Sequence, residues 1–188
     1  VTRMHEELIQ SLQERMEKAV QNLRREFATV RAGRATPSML DHVMVEYYGS
    51  QMPVNQVASV TSPEPRLLVI SPWDKSMLAE IEKAIQKSDL GLNPANDGSV
   101  IRLTIPALTE QRRQELVKQV RKMAEETRVA IRNIRRDGNE EIKKLEKAGD
   151  ISEDDVRRLM DRVQQLTDKA IAQVDRVLED KEKDVTQV

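Results

Sequence analysis

Three stretches of the chain repeat apolar residues at steps of three and four. In residues 3–31, Met4, Leu8, Leu12, Met16, Ala19, Leu23, Phe27 and Val30 fall on one stripe of a helix. Neither Pro nor Gly interrupts them before Gly33, and a helix of that length runs roughly 43 Å. From about Thr109 to Lys147 the period returns through Leu116, Val120, Met123, Thr127, Ile131, Ile134, Ile142 and Leu145, which predicts a helix of roughly 58 Å. Gly138 lies inside it, costs about 1 kcal/mol against Ala, and marks a place for a bend. "AGD" at 148–150 is a turn, and the third stripe follows it. Ser152 is placed as an N-cap, with Asp155 at the capping-box position and Glu153 and Asp154 on the positive helix end. Ile151 and Val156 are spaced as a hydrophobic staple. Leu159, Val163, Leu166, Ala170, Val174 and Val177 then carry the stripe to about residue 184.

Between the first two stripes the pattern changes. "GRATPSML" (33–40) is a break signal, and four β-rich pieces follow: "VMVEYY" (43–48), "QVASVT" (56–61), "RLLVIS" (66–71) and "SVIRLTIP" (99–106). Gly49-Ser50, Pro63 to Pro65 and Asn96-Asp97-Gly98 supply turns. "SMLAEIEKAIQKS" (76–88) reads as a helix with Leu78, Ile81 and Ile85 on one face. Three long helices with one apolar stripe each need one another in water. The expected fold is therefore α+β. Residues 1–32 and 107–188 form an elongated three-helix bundle, and residues 33–106 form a small β/α/β domain inserted between its first two helices. The two connections, near Gly33 and Pro106, leave room for a hinge. The competing arrangement is a single fused α/β domain.

Composition agrees with thin cores. Charged residues make up 34% of the chain, apolar residues 38% and aromatics only 2%. The absence of Cys excludes disulfide staples and thiolate metal sites, and fits a reducing compartment. No apolar run approaches a membrane span, and "VTRMHEELIQ" lacks a signal-peptide core. A cytoplasmic protein without membrane contact is expected. The first residue is Val, so an initiator Met is expected upstream.

The net charge of −1 conceals a segregation. Residues 112–136 hold nine basic and three acidic residues, a balance of +6, whereas residues 150–184 hold eleven acids and seven bases, a balance of −4. On a helical projection with Leu116 at zero, the apolar positions of the second helix cluster between about 0° and 80°. Arg121, Arg128, Arg132 and Arg135 fall at roughly 140°, 120°, 160° and 100°, a row beside the core stripe. Most acids of this helix lie on its other flank, and only Glu125 comes close to the row. Two readings compete. The row pairs with acids of a neighbouring helix, as charged bundles do, or it is a phosphate-binding stripe, for which the planar guanidinium fork is suited. No aromatic stands among these arginines, so a structured RNA backbone suits the second reading better than stacked single strands.

Chemistry-bearing motifs are missing. His5, expected exposed at a helix start, and His42, expected in a loop, belong to no H-E-x-x-H pattern, and neither is expected to ligate a metal. There is no Walker loop, no G-x-G-x-x-G and no G-x-S-x-G elbow. Trp73 is expected to pack the small domain. No enzymatic activity, catalytic residue, metal or cofactor is expected.

The stretches "RAGRATPSMLD" (31–41), "VEYYG" (45–49), "SDLGLNPANDG" (88–98), "PALTEQRR" (106–113), "IRNIRRDGNEEIKKLEK" (131–147) and "ISEDDVRRL" (151–159) together resemble the bacterial ribosome recycling factor family, in order and over essentially the whole chain. The resemblance implies a three-helix bundle with an inserted β/α/β domain on a flexible two-stranded hinge, in an L shape. It implies a translation factor that acts with elongation factor G and GTP to disassemble the post-termination 70S ribosome. The bundle would lie against large-subunit ribosomal RNA, and the small domain would face elongation factor G. By motif match, Arg113, Arg132 and Arg135 correspond to RNA-contacting arginines of the family. Arg121 and Arg128 join them from the helical row, and Arg31 is a further candidate. Gly33, with Arg34 beside it, and Pro106 match the hinge segments. A monomer is expected. Two rival functions remain: a helical adaptor for a protein partner, and a chaperone acting on free RNA.

Overall fold

The computed structural model describes residues 2–31 and 33–186. Contacts divide them into two units, residues 2–31 with 110–186 and residues 33–109.

The first unit consists of α1 (Thr2–Thr29), α4 (Glu110–Lys147) and α5 (Glu153–Thr186), each packed on the other two. Burial follows the predicted stripes with small rotations. On α1 the buried positions are Ile9, Leu12, Met16, Val20, Leu23 and Phe27, so Ile9 and Val20 take the places expected for Leu8 and Ala19. Met4 is exposed rather than buried. A helix of a three-helix bundle faces two neighbours at once, which turns its buried arc away from any single i, i+4 line. The same effect buries Thr167 on α5, whose hydroxyl donates to the Val163 carbonyl at 2.8 Å and is thereby satisfied. His5 is half-buried, not exposed, and its Nε2 is shielded from solvent.

Gly138 is buried inside an unbroken α4. A Cβ there would lie 2.5 Å from Leu12 Cδ1, so the glycine makes room for a leucine of α1 against α4. The turn between α4 and α5 is tied at both ends. Asp150 N donates to the Leu145 carbonyl and Gly149 N to that of Glu146, both at 3.0 Å, with Gly149 at φ +76: a Schellman ending. The Ser152–Asp155 capping box then starts α5. Asp155 N donates to Ser152 Oγ at 3.1 Å, and Ser152 N donates to Asp155 Oδ2 at 3.2 Å. Beyond α1, the half-buried Lys181 of α5 donates to the Val30 carbonyl at 2.7 Å. Burial pushes its pKa down, against the pull of Asp184.

The second unit pairs β1 (Met44–Tyr47) with β2 (Ser50–Pro53) as a hairpin, and places β3 (Ala58–Glu64), β4 (Leu67–Pro72), β5 (Pro94–Asn96) and β6 (Ile101–Thr104) in an antiparallel sheet of order β3-β4-β6-β5. Leu68, Ile70, Ile101 and Leu103 share one core with Ile81 and Ile85 of α3 (Leu78–Lys87) and Val45 of β1. Several details depart from the sequence reading. The hairpin turn is Tyr48-Gly49, both at positive φ, and Ser50 already belongs to a strand. Residues 54–57 form a helical turn, α2, that buries Val54 and Val57 before β3 begins. Trp73 does not pack the core but is 69% exposed. It continues the odd-numbered, outward positions of a strand whose inward residues are Leu68 and Ile70.

The segments that link the units converge on one turn. Ala35 N donates to the Pro65 carbonyl at 2.7 Å and Ile105 N to the Arg66 carbonyl at 2.8 Å. Gly33 adopts φ +74, with Leu108 against it, while Arg34 and Pro106 lie in backbone without helix or strand. His42 sits exposed in a turn.

Candidate nucleic-acid interface

The arginines of the predicted row stand on the α5-facing flank of α4 and on the adjoining outer surface. Arg121 and Arg128 reach across to α5. Arg121 Nε donates to Glu182 at 2.5 Å, and that hydrogen bond and charge raise its pKa. Arg128 meets Asp175 at 2.6 and 3.0 Å and Glu125 at 3.2 Å, and its side chain is only 19% exposed. Burial works against its charge, but Asp175 and Glu125 outweigh burial and hold its pKa above the ordinary guanidinium value. For these two residues the pairing with a neighbouring helix is the observed geometry.

Arg132 and Arg135 differ. Arg132 is 41% exposed, and its one carboxylate partner among the described residues is Glu125, at 3.4 Å, which it shares with Arg128. Arg135 has no carboxylate partner among the described residues. Its Nη1 donates to the neutral Gln164 Oε1 at 3.4 Å, and its Nε is buried without a partner. Arg113, at the start of α4, is 22% exposed beside Glu110 at 3.5 Å. It lines a cleft of about 380 Å³ with Gln114, Val117, Lys118 and Arg121. Arg31 is exposed beyond the end of α1.

One further residue of this face lies outside the arginine row of the sequence. Arg136 is exposed and has no ion-pair partner among the described residues. It falls near 200° on the projection, pointing straight out from the bundle beside Arg132. Its place outside the tight angular row hid it, although the distance of a cation from the core stripe is what leaves it accessible. Arg132, Arg135 and Arg136 thus offer three guanidinium groups within two turns of one rigid helix. Their planar forks suit phosphate oxygens, and the helix fixes their spacing.

The ribosome recycling factor family model matches residues 23–185. The chain is 60% identical to the ribosome-recycling factor of Carboxydothermus hydrogenoformans over 98% of its own length and 100% of the relative's. The chain belongs to the ribosome recycling factor family. The ribosome-recycling factor of Bacillus pumilus is 58% identical with the same coverage. A solution structure of a ribosome recycling factor superposes with a TM-score of 0.76 at 42% identity, covering 98% of both chains. A second similar structure comes from models of the T. thermophilus ribosome recycling factor and E. coli elongation factor G bound to the E. coli post-termination complex. Its TM-score is 0.63 at 48% identity, covering 96% of this chain and 98% of that one. The α+β class expected from the sequence, long helices with a small sheet unit, is the class of these ribosome recycling factor structures. Among the described residues no helix is long and apolar enough to cross a membrane.

Proposed function

We propose that this protein, as a cytoplasmic monomer, works with elongation factor G and GTP to split the post-termination 70S ribosome, and that its bundle docks on large-subunit ribosomal RNA through the outer face of α4. Membership of the ribosome recycling factor family supports the process. The observation that supports the docking face is the set of under-compensated guanidinium groups at Arg132, Arg135 and Arg136. Arg113 adds a cation at one end of the helix, from the cleft it shares with Arg121. Arg121 and Arg128 meet a phosphate only by leaving Glu182 and Asp175, and otherwise hold the register of α4 on α5. The linkers carrying Gly33, Arg34 and Pro106 serve as the joint through which the partner's motion reaches the bundle. The protein supplies shape, charge and a joint, while GTP hydrolysis belongs to the partner and no bond is made or broken here.

The test follows light scattering from post-termination ribosomes after addition of the protein, elongation factor G and GTP. The wild type lowers scattering, and the folded variants Arg132→Glu and Arg135→Glu do not. Neutralising several phosphates also makes large-subunit affinity fall steeply with salt. Equal splitting by all three proteins, or an affinity that is flat in salt, overturns the docking face. A wild type that leaves scattering unchanged with a compatible elongation factor overturns the process itself.

A further inference from the structure

The α4–α5 seam has a regular charge register with one irregular rung. Arg121, Arg128 and Arg135 recur every seven residues on α4, and Glu182, Asp175 and Asp168 recur every seven on the antiparallel α5. Seven residues are two helical turns, so equal steps keep the partners level. The first two rungs close as ion pairs, Arg121 with Glu182 and Arg128 with Asp175. By the same register the third would join Arg135 to Asp168, yet among the described residues no ion pair links them. Gln164 bridges the two instead. Its Nε2 donates to Asp168 Oδ1 at 2.8 Å, and its Oε1 accepts from Arg135 Nη1 at 3.4 Å. The chemistry of the neighbours fixes the amide's orientation. A carboxylate only accepts and a guanidinium only donates, so the NH₂ end must face Asp168 and the oxygen Arg135.

We infer that Gln164 is a positioning residue that intercepts the third rung, occupying Asp168 and holding Arg135 by a neutral contact so that its charge stays available to a phosphate. The inference rests on the proposed docking of this face on RNA. An ion pair with Asp168 would place a negative charge against Arg135 and compete with any phosphate for its donors. A neutral acceptor orients the guanidinium without that competition. Gln164 and Asp168 are both exposed, so their replacement leaves the buried core intact.

The experiment measures affinity of the full-length protein for isolated large ribosomal subunits as a function of salt, with helix content checked by circular dichroism. Gln164→Ala opens the rung, lets Arg135 close on Asp168, and lowers affinity roughly tenfold, the loss of about one charge-assisted contact. Its salt slope becomes shallower by about one. The double variant Gln164→Ala/Asp168→Asn has no carboxylate to close on and returns to wild-type affinity and slope. Asp168→Asn alone stays within about twofold of wild type. Wild-type behaviour of Gln164→Ala, or a loss that persists in the double variant, overturns the interception, since a merely structural glutamine is not rescued by Asp168→Asn. If the wild type itself binds without salt dependence, the underlying docking face fails first, and that result is distinguishable from the other two.

Discussion

Gly138 is a junction between α1 and α4, and a double-mutant cycle with Leu12 tests that role. A Cβ built on Gly138 lies 2.5 Å from Leu12 Cδ1, 3.2 Å from Cδ2 and 3.4 Å from Cγ. Carbon atoms settle at about 3.5–4.0 Å, so the leucine tip must retreat by about an ångström. Leu12 is 2% exposed and has little room for this. Gly138→Ala gains about 1 kcal/mol from helix propensity, and overpacking takes back about 1–3 kcal/mol. The net effect in the intact protein is a destabilisation of about 0–2 kcal/mol. Leu12→Ala alone removes a buried side chain and costs about 2–5 kcal/mol. In that background all three crowding atoms are gone, and the same Gly138→Ala change stabilises by about 1 kcal/mol or more. The two sites therefore couple by about 1–3 kcal/mol. Urea unfolding followed by circular dichroism at the helix band, which the three long helices dominate, measures each corner of the cycle. If Gly138→Ala stabilises the intact protein as much as it stabilises Leu12→Ala, the leucine yields at no cost and the close-approach explanation for this glycine is wrong.

Three further perturbations separate the units. Ser152→Ala removes the acceptor of Asp155 N at the start of α5 and lowers bundle stability by about 1 kcal/mol, read as a shift in the urea midpoint at constant slope. Asp97 accepts from Val100 N and Ser99 N, both at 2.9 Å, and from Arg102, which lowers its pKa from 3.8 to about 2. Its stabilising effect is therefore present above pH 3.8 and fades as pH falls toward 2. Asp97→Asn is less stable than wild type at neutral pH by a margin that shrinks through that window, as followed by acid titration of Trp73 fluorescence. Trp73→Ala leaves the stability of the small unit within about 0.5 kcal/mol of wild type, as read by hydrogen exchange of its sheet amides, because the ring is exposed, whereas a packing role would cost several times that.

The long helices were legible because each carries a period sustained over many turns, and the capping box because its residues act locally. The family was legible from ordered motifs, and the comparisons bear it out. Short elements were harder. Ser50–Pro53 and Pro94–Asn96 carry proline and polar residues that argue against strands, and they pair only because a neighbouring strand is supplied by the fold. Val54–Val57 is too brief to show any period. Trp73, expected to pack the small domain, is exposed because strand parity decides its side. Gly138 projects near 40°, within the apolar arc of α4. A glycine there signals a close neighbour more strongly than a bend, and that signal was available before the structure.

The arginine row exposes a different limit. Its angular position was readable from one helix, but the state of each charge depends on what the second helix places opposite, which requires the register between them. That register was present in the sequence as two matched seven-residue series, invisible until α4 and α5 are laid antiparallel in the right phase. Exposed ion pairs contribute only about 0.2–1 kcal/mol each, and in both closed rungs one partner is largely covered, Arg128 at 19% and Glu182 at 26% exposure, so desolvation offsets much of the added attraction. They do favour one phase, since sliding α5 by a turn would separate Arg121 and Arg128 from Glu182 and Asp175. A bundle whose register were fixed by closing every rung would leave few free cations for an anionic partner. One whose every rung stayed open would lose that phase preference and set uncompensated arginines side by side. A neutral residue at one rung meets both demands, and it does so without changing the formal charge of either helix. Net charge and charge counts are accordingly blind to it, and only the partner of each guanidinium distinguishes a cation that holds the bundle from one that remains open to a phosphate.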